Sequence, residues 1–392
     1  MITVEEAFEL VKNNVSTTKN KKTNKVNSSL GFVLAEDVIS SINMPPFRQS
    51  AMDGYALNLH EDSNYAIIDE VKAGDGHHPV LKKGEAVRIF TGSAVPETAN
   101  TVIMQEKVTA KESQLSINNS VSENENIRPL GEQIKIGAIA LKKGTKLTPA
   151  AIGFLLTLGI TEVSVFEKPK IGIVTTGNEL VEAGQELTYG KIYESNSGML
   201  KAGLQSIGYF NVTISKVKDD YQSTLNSLEK AISENDVVLI SGGISVGDYD
   251  FVGKALLELG TEQVFYKVKQ KPGKPLFFGK IKNKPVFALP GNPASALSSF
   301  YVYVHPSLER LSGNENFSIN KGTAVLAADF IKKGDRAQFL KAYHHHGEVS
   351  ILEGQSSAML HTFAIANAFV YIPWEVSKYA KGDLIEIIHL PV

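Results

Sequence analysis

The sequence predicts a multidomain α/β plus β protein with a central parallel α/β domain, a split helical N-terminal domain, a β-rich insertion and a β-rich C-terminal domain that suits a small β-barrel or sandwich. Its 392 residues exceed the usual size of a single domain. Between Lys170 and Gly313, apolar runs alternate with helical stretches, which is the rhythm of parallel βαβ units. Before and after this region, short strand-like segments are separated by Gly, Pro and Asn turns, which favours β structure.

Two helical segments are predicted in the N-terminal part of the chain. Thr3 to Glu6 has the pattern of a capping box, and the residues after it continue as an amphipathic helix. Helical order is expected again over Gly31–Val38. Thr148-Pro149 is a second strong helix start, because a capping residue precedes a proline in the first turn. Since these segments flank the β-rich insertion, they are predicted to pack together as one split domain.

The central domain is predicted from five apolar runs and the helical stretches between them. Parallel strands of this kind form a sheet that is covered by helices on both faces. The runs are Ile171–Thr175, Val212–Val217, Val237–Ile240, Phe265–Val268 and Val286–Leu289. The predicted domains are 1–42 with 138–166 (split helical domain I), 43–137 (β-rich domain II), 167–313 (α/β domain III) and 314–392 (domain IV, a small barrel or sandwich).

Composition excludes several classes of site and partner. The chain has no cysteine, which excludes disulfides, thiolate nucleophiles and cysteine-ligated metal sites. Its net charge of -2 provides no global positive field, so neither nucleic acid nor a membrane surface is an expected partner. The sequence shows no secretory signal and no apolar run of membrane-spanning length, and we expect the protein in the cytoplasm.

Four predicted strand ends carry loops that suit an anion. In an open parallel sheet, ligands bind beyond the carboxyl ends of the strands. Glycines let backbone amides approach a ligand closely, and a helix N-terminus favours negative charge. A single glycine-rich turn is more often only a turn, but four at one rim indicate a phosphate-bearing ligand. These loops are Thr176–Glu179, Ser241–Asp250, Lys271–Pro275 and Pro290–Ser295.

Lysines and carboxylates accompany these loops. Lys271 and Lys274 lie in a segment stiffened by two prolines and a glycine, so we expect them to hold an oxyanion. Carboxylates beside a phosphate site usually need a divalent cation, and Mg²⁺ fits this chemistry. A helix N-cap is an equally good explanation for some of the carboxylates taken singly. The carboxylates are Glu179, Asp219, Asp220, Asp248 and Asp250.

Taken together and in order along the chain, these motifs resemble the molybdopterin molybdenumtransferases, that is, the bacterial MoeA proteins and the E domains of gephyrin and its plant homologues. The resemblance spans essentially the whole chain. It is carried by Pro45-Pro46-Phe47, the segment Ser50–Ala56, Thr175–Leu180, Ser195-Asn196-Ser197, Ser241–Asp250, Lys271–Pro275 and Pro290–Pro293. The Ala-Met-Asp-Gly-Tyr-Ala segment distinguishes the chain from the smaller molybdopterin adenylyltransferases, which share the glycine-rich loop.

The resemblance implies a specific reaction and assembly. Adenylylated molybdopterin and molybdate would be the substrates, AMP would leave, and molybdenum would end on the dithiolene sulfurs. Family members are elongated homodimers, with the active site formed between domain III of one subunit and domain II of the other. Contact with the upstream adenylyltransferase is a further possibility that the resemblance suggests.

The resemblance also assigns roles to individual residues. The implied catalytic residues are Asp53, Glu179, Asp219, Asp250, Lys271 and Lys274. The implied Mg²⁺ ligands are Glu179, Asp219 and Asp250. The implied substrate-binding residues are Thr91, Arg128, Thr176, Gly177, Ser195, Asn196, Ser241, Gly242, Gly243, Ser245, Gly247, Pro290, Gly291, Asn292, Lys341 and Ser357.

The chain departs from the family pattern at two positions. Gln133 stands where relatives often have an acidic residue, and Lys341 stands where they often have an arginine. Lysine keeps the positive charge but lacks the bidentate fork of a guanidinium. If Lys341 contacts the substrate, weaker molybdate binding or a preference for another oxyanion such as tungstate is expected.

Two other functions remain open at this point. One is a nucleotidyltransferase or pyrophosphatase that shares only the molybdopterin-binding domain, which predicts adenylylation of molybdopterin by ATP without molybdate. The other is a scaffold that binds molybdopterin without turnover. The acidic residues near the paired lysines favour an enzyme over a scaffold.

Overall fold

The computed structural model describes residues 1–118, 120–244 and 251–391. The chain divides into two compact units. The first comprises Met1–Lys22, Gly31–Val33 and Phe166–Val392, and the second comprises Thr23–Leu30 and Leu34–Val165. The first predicted helix therefore belongs to the first unit and the Thr148 helix to the second, while the four predicted domain boundaries stay a prediction.

The chain begins with helix α1 (Val4–Asn14), as the capping box predicts. The Glu6 amide donates to the Thr3 hydroxyl at 3.1 Å, and the Thr3 amide donates to the Glu6 carboxylate at 2.8 Å. These bonds satisfy donors that the first turn of a helix leaves free. Its buried face joins the largest core of the first unit through Val4, Ala7 and Val11.

The second unit is β-rich, as predicted, and its largest element is a curled six-stranded sheet in the order β7-β4-β6-β5-β9-β8. The chain from residue 21 to residue 166 contains β1 (Lys21–Lys25), β2 (Val38–Ile39), β3 (Gln49–Ser50), β4 (Gly54–Leu57), β5 (Asn64–Val71), β6 (Glu85–Ile89), β7 (Thr101–Met104), β8 (Val108–Lys111), β9 (Gln114–Ile117), β10 (Ile127–Arg128), β11 (Ile139–Leu141), helix α2 (Pro149–Thr157) and β12 (Glu162–Phe166). Thr148 caps α2 by accepting a hydrogen bond from the Ala151 amide at 3.2 Å.

The helix predicted over Gly31–Val38 is wrong. The Leu34 amide donates to the Thr145 carbonyl at 3.0 Å, and the Ala35 amide donates to the Ser164 carbonyl at 2.9 Å. These donors therefore bond to segments far along the chain instead of to the carbonyl four residues earlier. Local apolar periodicity cannot reveal such long-range partners.

The α/β part of the first unit contains a six-stranded sheet in the order β16-β13-β17-β21-β20-β18. Its elements are β13 (Ile171–Thr176), β14 (Leu180–Val181), β15 (Ile192–Tyr193), α3 (Asn196–Ser206), β16 (Val212–Val217), α4 (Tyr221–Glu234), β17 (Val237–Ser241), α5 (Phe251–Glu258), β18 (Glu262–Lys267), β19 (Gln270–Lys271), β20 (Pro275–Ile281), β21 (Lys284–Leu289), α6 (Pro293–Ser299) and α7 (His305–Leu311), with a π-helical turn at Phe300–Val304.

This sheet is mixed, which corrects the prediction of a purely parallel one. β16, β13, β17 and β21 are parallel, but β20 is antiparallel to both of its neighbours. β20 was not predicted from the sequence, because its start, Pro275, belongs to the Lys-Pro-Gly-Lys-Pro loop. Lys282 and Asn283, which have φ of +49° and +66°, close the β20–β21 hairpin.

Helices cover both faces of the sheet, as predicted. Ile173 and Leu239 face the core that includes α3, whereas the adjacent Val174 and Ile240 face the core that includes α4 and α5. Alternation of this kind follows from the two-residue period of a strand. The sheet interior is therefore fixed on both sides, and only its ends are free to bind a ligand.

The C-terminal region forms a closed five-strand barrel, which is one of the two forms predicted for it. Its elements are β22 (Lys321–Leu326), β23 (Phe330–Ile331), β24 (Ala337–His345), β25 (Glu348–Ile351), β26 (Ala368–Ile372), β27 (Lys378–Tyr379) and β28 (Leu384–His389). The ring runs β24-β25-β22-β28-β26 and closes by pairing of β26 with β24. Across the described part of the chain, no helix has the length and apolar character needed to cross a bilayer.

One strand joins the α/β sheet region to the barrel. β19 pairs in parallel with β24, placing Gln270 beside Ala337 and Lys271 beside Gln338. The lysine-bearing segment that follows β18 therefore forms an extra strand at the edge of the barrel sheet. This pairing brings the barrel loops to the rim of the α/β sheet.

Candidate functional site

The described parts of the four predicted loops lie at one rim of the sheet in the first unit. β13, β17 and β21 are parallel, and two antiparallel steps give β18 the same direction. Their carboxyl ends therefore lie at the same edge of the sheet. Two neighbouring cavities open there.

The first, the glycine cavity, has a volume of about 380 Å³. Asn196, at the start of α3, donates through its side-chain amide to Ser241 Oγ at 2.8 Å and to the Gly291 carbonyl at 2.7 Å. It thereby links the start of α3 to two of the four loops. The lining residues are Thr175, Thr176, Glu179, Leu180, Ile192, Tyr193, Glu194, Ser195, Asn196, Ser241, Gly242, Ile244, Pro275, Pro290, Gly291, Asn292 and Pro293.

Two adjacent glycines fix the backbone of the glycine cavity. Gly242 and Gly243 have φ of +91° and +62°, a region that side chains disfavour. A Cβ on Gly242 would lie 2.3 Å from the Thr176 carbonyl oxygen, and one on Gly243 would lie 2.6 Å from Thr176 Cγ2. The two loops can approach this closely only because both residues are glycine.

The second, the lysine cavity, has a volume of about 420 Å³ and shares Pro275, Pro290 and Asn292 with the glycine cavity. Its lining residues are Lys271, Pro272, Gly273, Lys274, Pro275, Pro290, Asn292, Ser295, Arg336, Gln355, Ser356 and Ser357. Ser357 reaches it from the barrel, accepting from the Asn292 side-chain amide at 3.1 Å and, through its carbonyl, from the Ala294 amide at 3.2 Å.

Buried polar groups hold the lysine loop in place. Gln270 is 1% exposed. Its amide nitrogen donates to the Gly273 carbonyl at 3.1 Å, and its amide oxygen accepts from the Tyr303 hydroxyl at 2.6 Å. Burial raises the pKa of Tyr303, so this hydroxyl stays protonated as a donor. Arg336 donates to the Gln270 carbonyl at 3.3 Å.

Arg336 is a cation of this site that was not predicted from the sequence. No local motif marks it, because it enters the cavity through the long-range pairing of β19 with β24. Arg336, Lys271 and Lys274 give the lysine cavity three cationic side chains. A guanidinium presents planar donors that suit oxyanions.

The carboxylates divide into two groups. The Thr176 hydroxyl donates to Asp219 at 3.4 Å, and Glu179 lines the glycine cavity beside Thr176. Asp220 instead caps α4, accepting from the Ser223 amide at 2.9 Å, and this amide holds its pKa below the usual range. The remaining predicted residues of the Ser241–Asp250 loop lie outside the described residues. They are Ser245, Gly247, Asp248 and Asp250.

Among the described residues, His and carboxylate side chains form no group of three or more that could hold a metal ion. Glu179 and Asp219 nevertheless lie on loops of the same rim. Mg²⁺ commonly takes one or two protein carboxylates and completes its shell with phosphate oxygens and water. The donor chemistry of these two residues therefore fits Mg²⁺ held jointly with a phosphate ligand.

Lys341, predicted to contact substrate, is only 3% exposed and lines neither cavity. Its ammonium donates to the carbonyls of Gly354 and Met359, each at 2.7 Å. Burial lowers its pKa. The structure therefore places this cation inside the barrel loop and not at the ligand-facing surface.

The second unit groups Asp53 with Thr91. Asp53 Oδ1 accepts from both the Thr91 amide and the Thr91 hydroxyl, each at 2.7 Å. These bonds, the amide first, hold the pKa of Asp53 below its usual range. The Arg88 guanidinium lies 5.0 Å from the Tyr55 ring, and exposed Arg128 stands opposite Gln49 in the β10–β3 pair. Asp53, Thr91 and Arg128 are exposed, whereas Arg88 and Tyr55 are half-buried.

Comparison with known families accounts for most of the chain. Residues 2–159 match the family described as the MoeA N-terminal region (domain I and II). Residues 172–310 match a probable molybdopterin binding domain, and residues 323–390 match the MoeA C-terminal region (domain IV). The three matches follow one another in the order that the motifs predict.

Individual relatives match over nearly their whole length. The molybdopterin molybdenumtransferase of Haemophilus influenzae is 35% identical over 365 residues, covering 91% of this chain and 90% of that protein. That of Staphylococcus epidermidis is 32% identical, covering 99% and 95%. The crystal structure of the molybdopterin biosynthesis moeA protein from Pyrococcus horikoshii superposes with a TM-score of 0.86 at 30% identity, covering 99% and 100%. The chain belongs to the MoeA family of molybdopterin molybdenumtransferases.

Proposed function

We propose that this protein inserts molybdenum from molybdate into adenylylated molybdopterin and releases AMP. The observation that carries the proposal is the pair of adjoining cavities in the first unit. The glycine cavity is lined by small polar residues, apolar residues, prolines and two glutamates, and the lysine cavity by three cations and three serines. A two-part substrate set, consisting of a phosphate-bearing pterin and a small oxyanion, matches this arrangement.

In this proposal the lysine cavity binds molybdate. Lys271, Lys274 and Arg336 supply positive charge, and Ser357 supplies a hydroxyl donor. Charge-assisted hydrogen bonds of this kind are stronger than neutral ones. The buried Gln270–Tyr303 pair keeps the loop from rearranging, so little ordering energy is lost when the anion binds.

The glycine cavity would bind the phosphate-bearing part of molybdopterin. α3 begins at its wall with Ser195 at the N-cap, and this side chain makes no capping hydrogen bond. The Ser197 amide donates to the Glu194 carboxylate at 2.9 Å, so the anion would be held by the other amides of the first helical turn. Asn196 Oδ1 is buried and lacks a hydrogen-bond partner within the described residues, which leaves an acceptor for an N–H group of the substrate.

Magnesium belongs to the same proposal. Glu179 and Asp219 would hold Mg²⁺, with Asp250 as the third ligand that the family resemblance implies. When bound, the ion neutralises charge on the pyrophosphate of the adenylylated substrate. Thr176, which donates to Asp219, would orient that carboxylate.

A cytoplasmic homodimer completes the proposal. Asp53 and Thr91 are exposed and held in a fixed geometry. A carboxylate kept ionised by two donors is suited to position water or substrate. We propose that this cluster, with Arg128, acts on the substrate bound by a second copy of the chain. Contact with an adenylyltransferase that supplies the substrate would fit this arrangement.

The test is incubation with adenylylated molybdopterin, molybdate and Mg²⁺, with AMP and active cofactor measured together. The parent protein should release AMP only when molybdate is present. A Lys271→Met/Lys274→Met double variant should bind molybdate roughly 100-fold more weakly, because two charge-assisted contacts are lost. Lys230→Met, on the exposed face of α4, is the control and should behave as the parent does.

The outcome also separates the other two candidate functions. Adenylylation of molybdopterin by ATP without molybdate would identify an adenylyltransferase. Tight binding of molybdopterin with no AMP release under any condition would identify a scaffold. Unchanged molybdate affinity in the double variant would show that the oxyanion binds elsewhere.

A further inference from the structure

The loop Gly354–Met359 is organised around the single buried side chain of Lys341. Its ammonium donates to the carbonyls of Gly354 and Met359 at 2.7 Å each and to that of Ser356 at 3.5 Å. It also lies 5.5 Å from the Phe363 ring centroid. An ammonium has three donors, so these three carbonyls use all of its hydrogen-bonding capacity.

A second side chain ties the same loop to the same residue. The Lys341 amide donates to Gln355 Oε1 at 3.0 Å, and Gln355 Nε2 donates to the Lys341 carbonyl at 2.8 Å. The loop then presents Gln355, Ser356 and Ser357 to the lysine cavity. Lys341 and the cavity wall are therefore linked through the loop and not through direct contact.

We propose that Lys341 is a positioning residue that shapes the Gly354–Met359 loop so that Ser357 meets the oxyanion, and that it does not itself touch the substrate. The proposal rests on the proposed function, because it assumes that the lysine cavity binds molybdate. Lys341 stands where relatives often have an arginine. In this proposal the lysine supports the loop and does not determine which oxyanion the protein selects.

The geometry explains why lysine suits this position. A compact ammonium can direct its three hydrogens to three carbonyls arranged around it. A guanidinium has a planar fork and a larger head, so we expect it to fit these three carbonyls poorly at a position where the residue is only 3% exposed. Restoring the family's arginine should therefore weaken the loop instead of strengthening oxyanion binding.

The experiment compares Lys341→Arg, Lys341→Met and Ser357→Ala with the double variant Lys341→Met/Ser357→Ala. Molybdate binding is measured by equilibrium dialysis, and AMP release is measured as a function of molybdate concentration. Each single variant should raise the KM for molybdate by about tenfold, the effect of losing one hydrogen bond to a charged group. The kcat at saturating molybdate should stay within about twofold of the parent value, because the loop supports the binding of molybdate only.

The double variant tests whether Lys341 acts through Ser357. If Lys341 acts through Ser357, adding Ser357→Ala to Lys341→Met should produce little further loss. Hydrogen exchange gives a readout without substrate, since amides of residues 354–359 should exchange faster in both Lys341 variants and not in Ser357→Ala. A thermal melt checks that each variant is folded.

Three outcomes would overturn the proposal. They are a Lys341→Arg variant that matches or exceeds the parent in molybdate affinity, fully additive losses in the double variant, and unchanged exchange of the loop. Absence of molybdate binding by the parent protein would instead overturn the proposed function. In that case the exchange measurement would still report whether Lys341 holds the loop.

Discussion

The glycine cavity and the lysine cavity adjoin, but different parts of the chain determine them. The glycine cavity is built from loops that follow β13, β17 and β21, which are neighbours in one sheet. The lysine cavity needs the pairing of β19 with β24 and a loop of the barrel. The first follows from local sequence and strand order, whereas the second depends on contacts between distant segments.

The two cavities also differ in what they offer a ligand. The glycine cavity has close backbone approaches at Gly242 and Gly243, so its shape depends on the absence of side chains. The lysine cavity offers side-chain charge, held by buried hydrogen bonds of Gln270. Substitutions should therefore damage the first by steric clash and the second by loss of a supporting hydrogen bond.

The largest expected effect is at Gly242. Gly242→Ala places a Cβ 2.3 Å from the Thr176 carbonyl oxygen at a φ of +91°. The strain and clash should lower the free energy of unfolding by roughly 2 kcal/mol or more. Gly291→Ala is the control in the same cavity, since its Cβ would meet only the Gly242 Cα at 3.8 Å. Urea denaturation of both variants measures the difference, and equal losses would contradict the assigned role of Gly242.

A smaller effect is expected at Tyr303, behind the lysine cavity. Tyr303→Phe leaves the buried oxygen of Gln270 without its donor, which should cost about 1–2 kcal/mol of unfolding free energy. The lysine loop should also exchange its amides faster. Tyr301→Phe is the matched control, because the Tyr301 hydroxyl makes no hydrogen bond within the described residues. A stable Tyr303→Phe variant with unchanged loop exchange would show that Gln270 holds the loop without Tyr303.

Most of the elements that build the glycine cavity could be predicted from the sequence. The apolar runs at Val212–Val217 and Val237–Ile240 correspond to β16 and β17, and the capping signals at Thr3 and Thr148 mark the starts of α1 and α2. These features depend on residues a few positions apart. They are therefore visible without knowledge of the tertiary structure.

Only some of the residues that line the lysine cavity could be predicted from the sequence. Lys271 and Lys274 stand out because prolines and a glycine surround them, but Arg336 has no such local mark. Lys341 differs from these residues, since its family position suggests a ligand contact, whereas the structure shows it buried and bonded to backbone carbonyls. Whether a cation faces a ligand or a backbone carbonyl is decided by packing, which one sequence does not display.

The smallest expected effect concerns two carboxylates, one held by a residue distant in sequence and one held by a local helix cap. Asp53 and Thr91 are distant in sequence, whereas Asp220 and Ser223 form a local helix cap, and both carboxyl groups have a lowered pKa. In each folded carboxylate the stabilising contribution is present above the pKa of the unfolded chain and is lost as pH falls through the folded pKa. Thr91→Val keeps the amide, which is the larger cause, and removes only the hydroxyl.

The pKa of Asp53 should therefore rise in Thr91→Val yet stay below its ordinary value, while the pKa of Asp220 should not move. A ¹³C titration of the aspartate carboxyl carbons measures both groups in one experiment. A parallel shift of Asp220 would indicate a general change in the protein's charge state. An unmoved Asp53 would mean that the amide alone holds this carboxylate, and that the long-range partner acts through its backbone, as a local cap does.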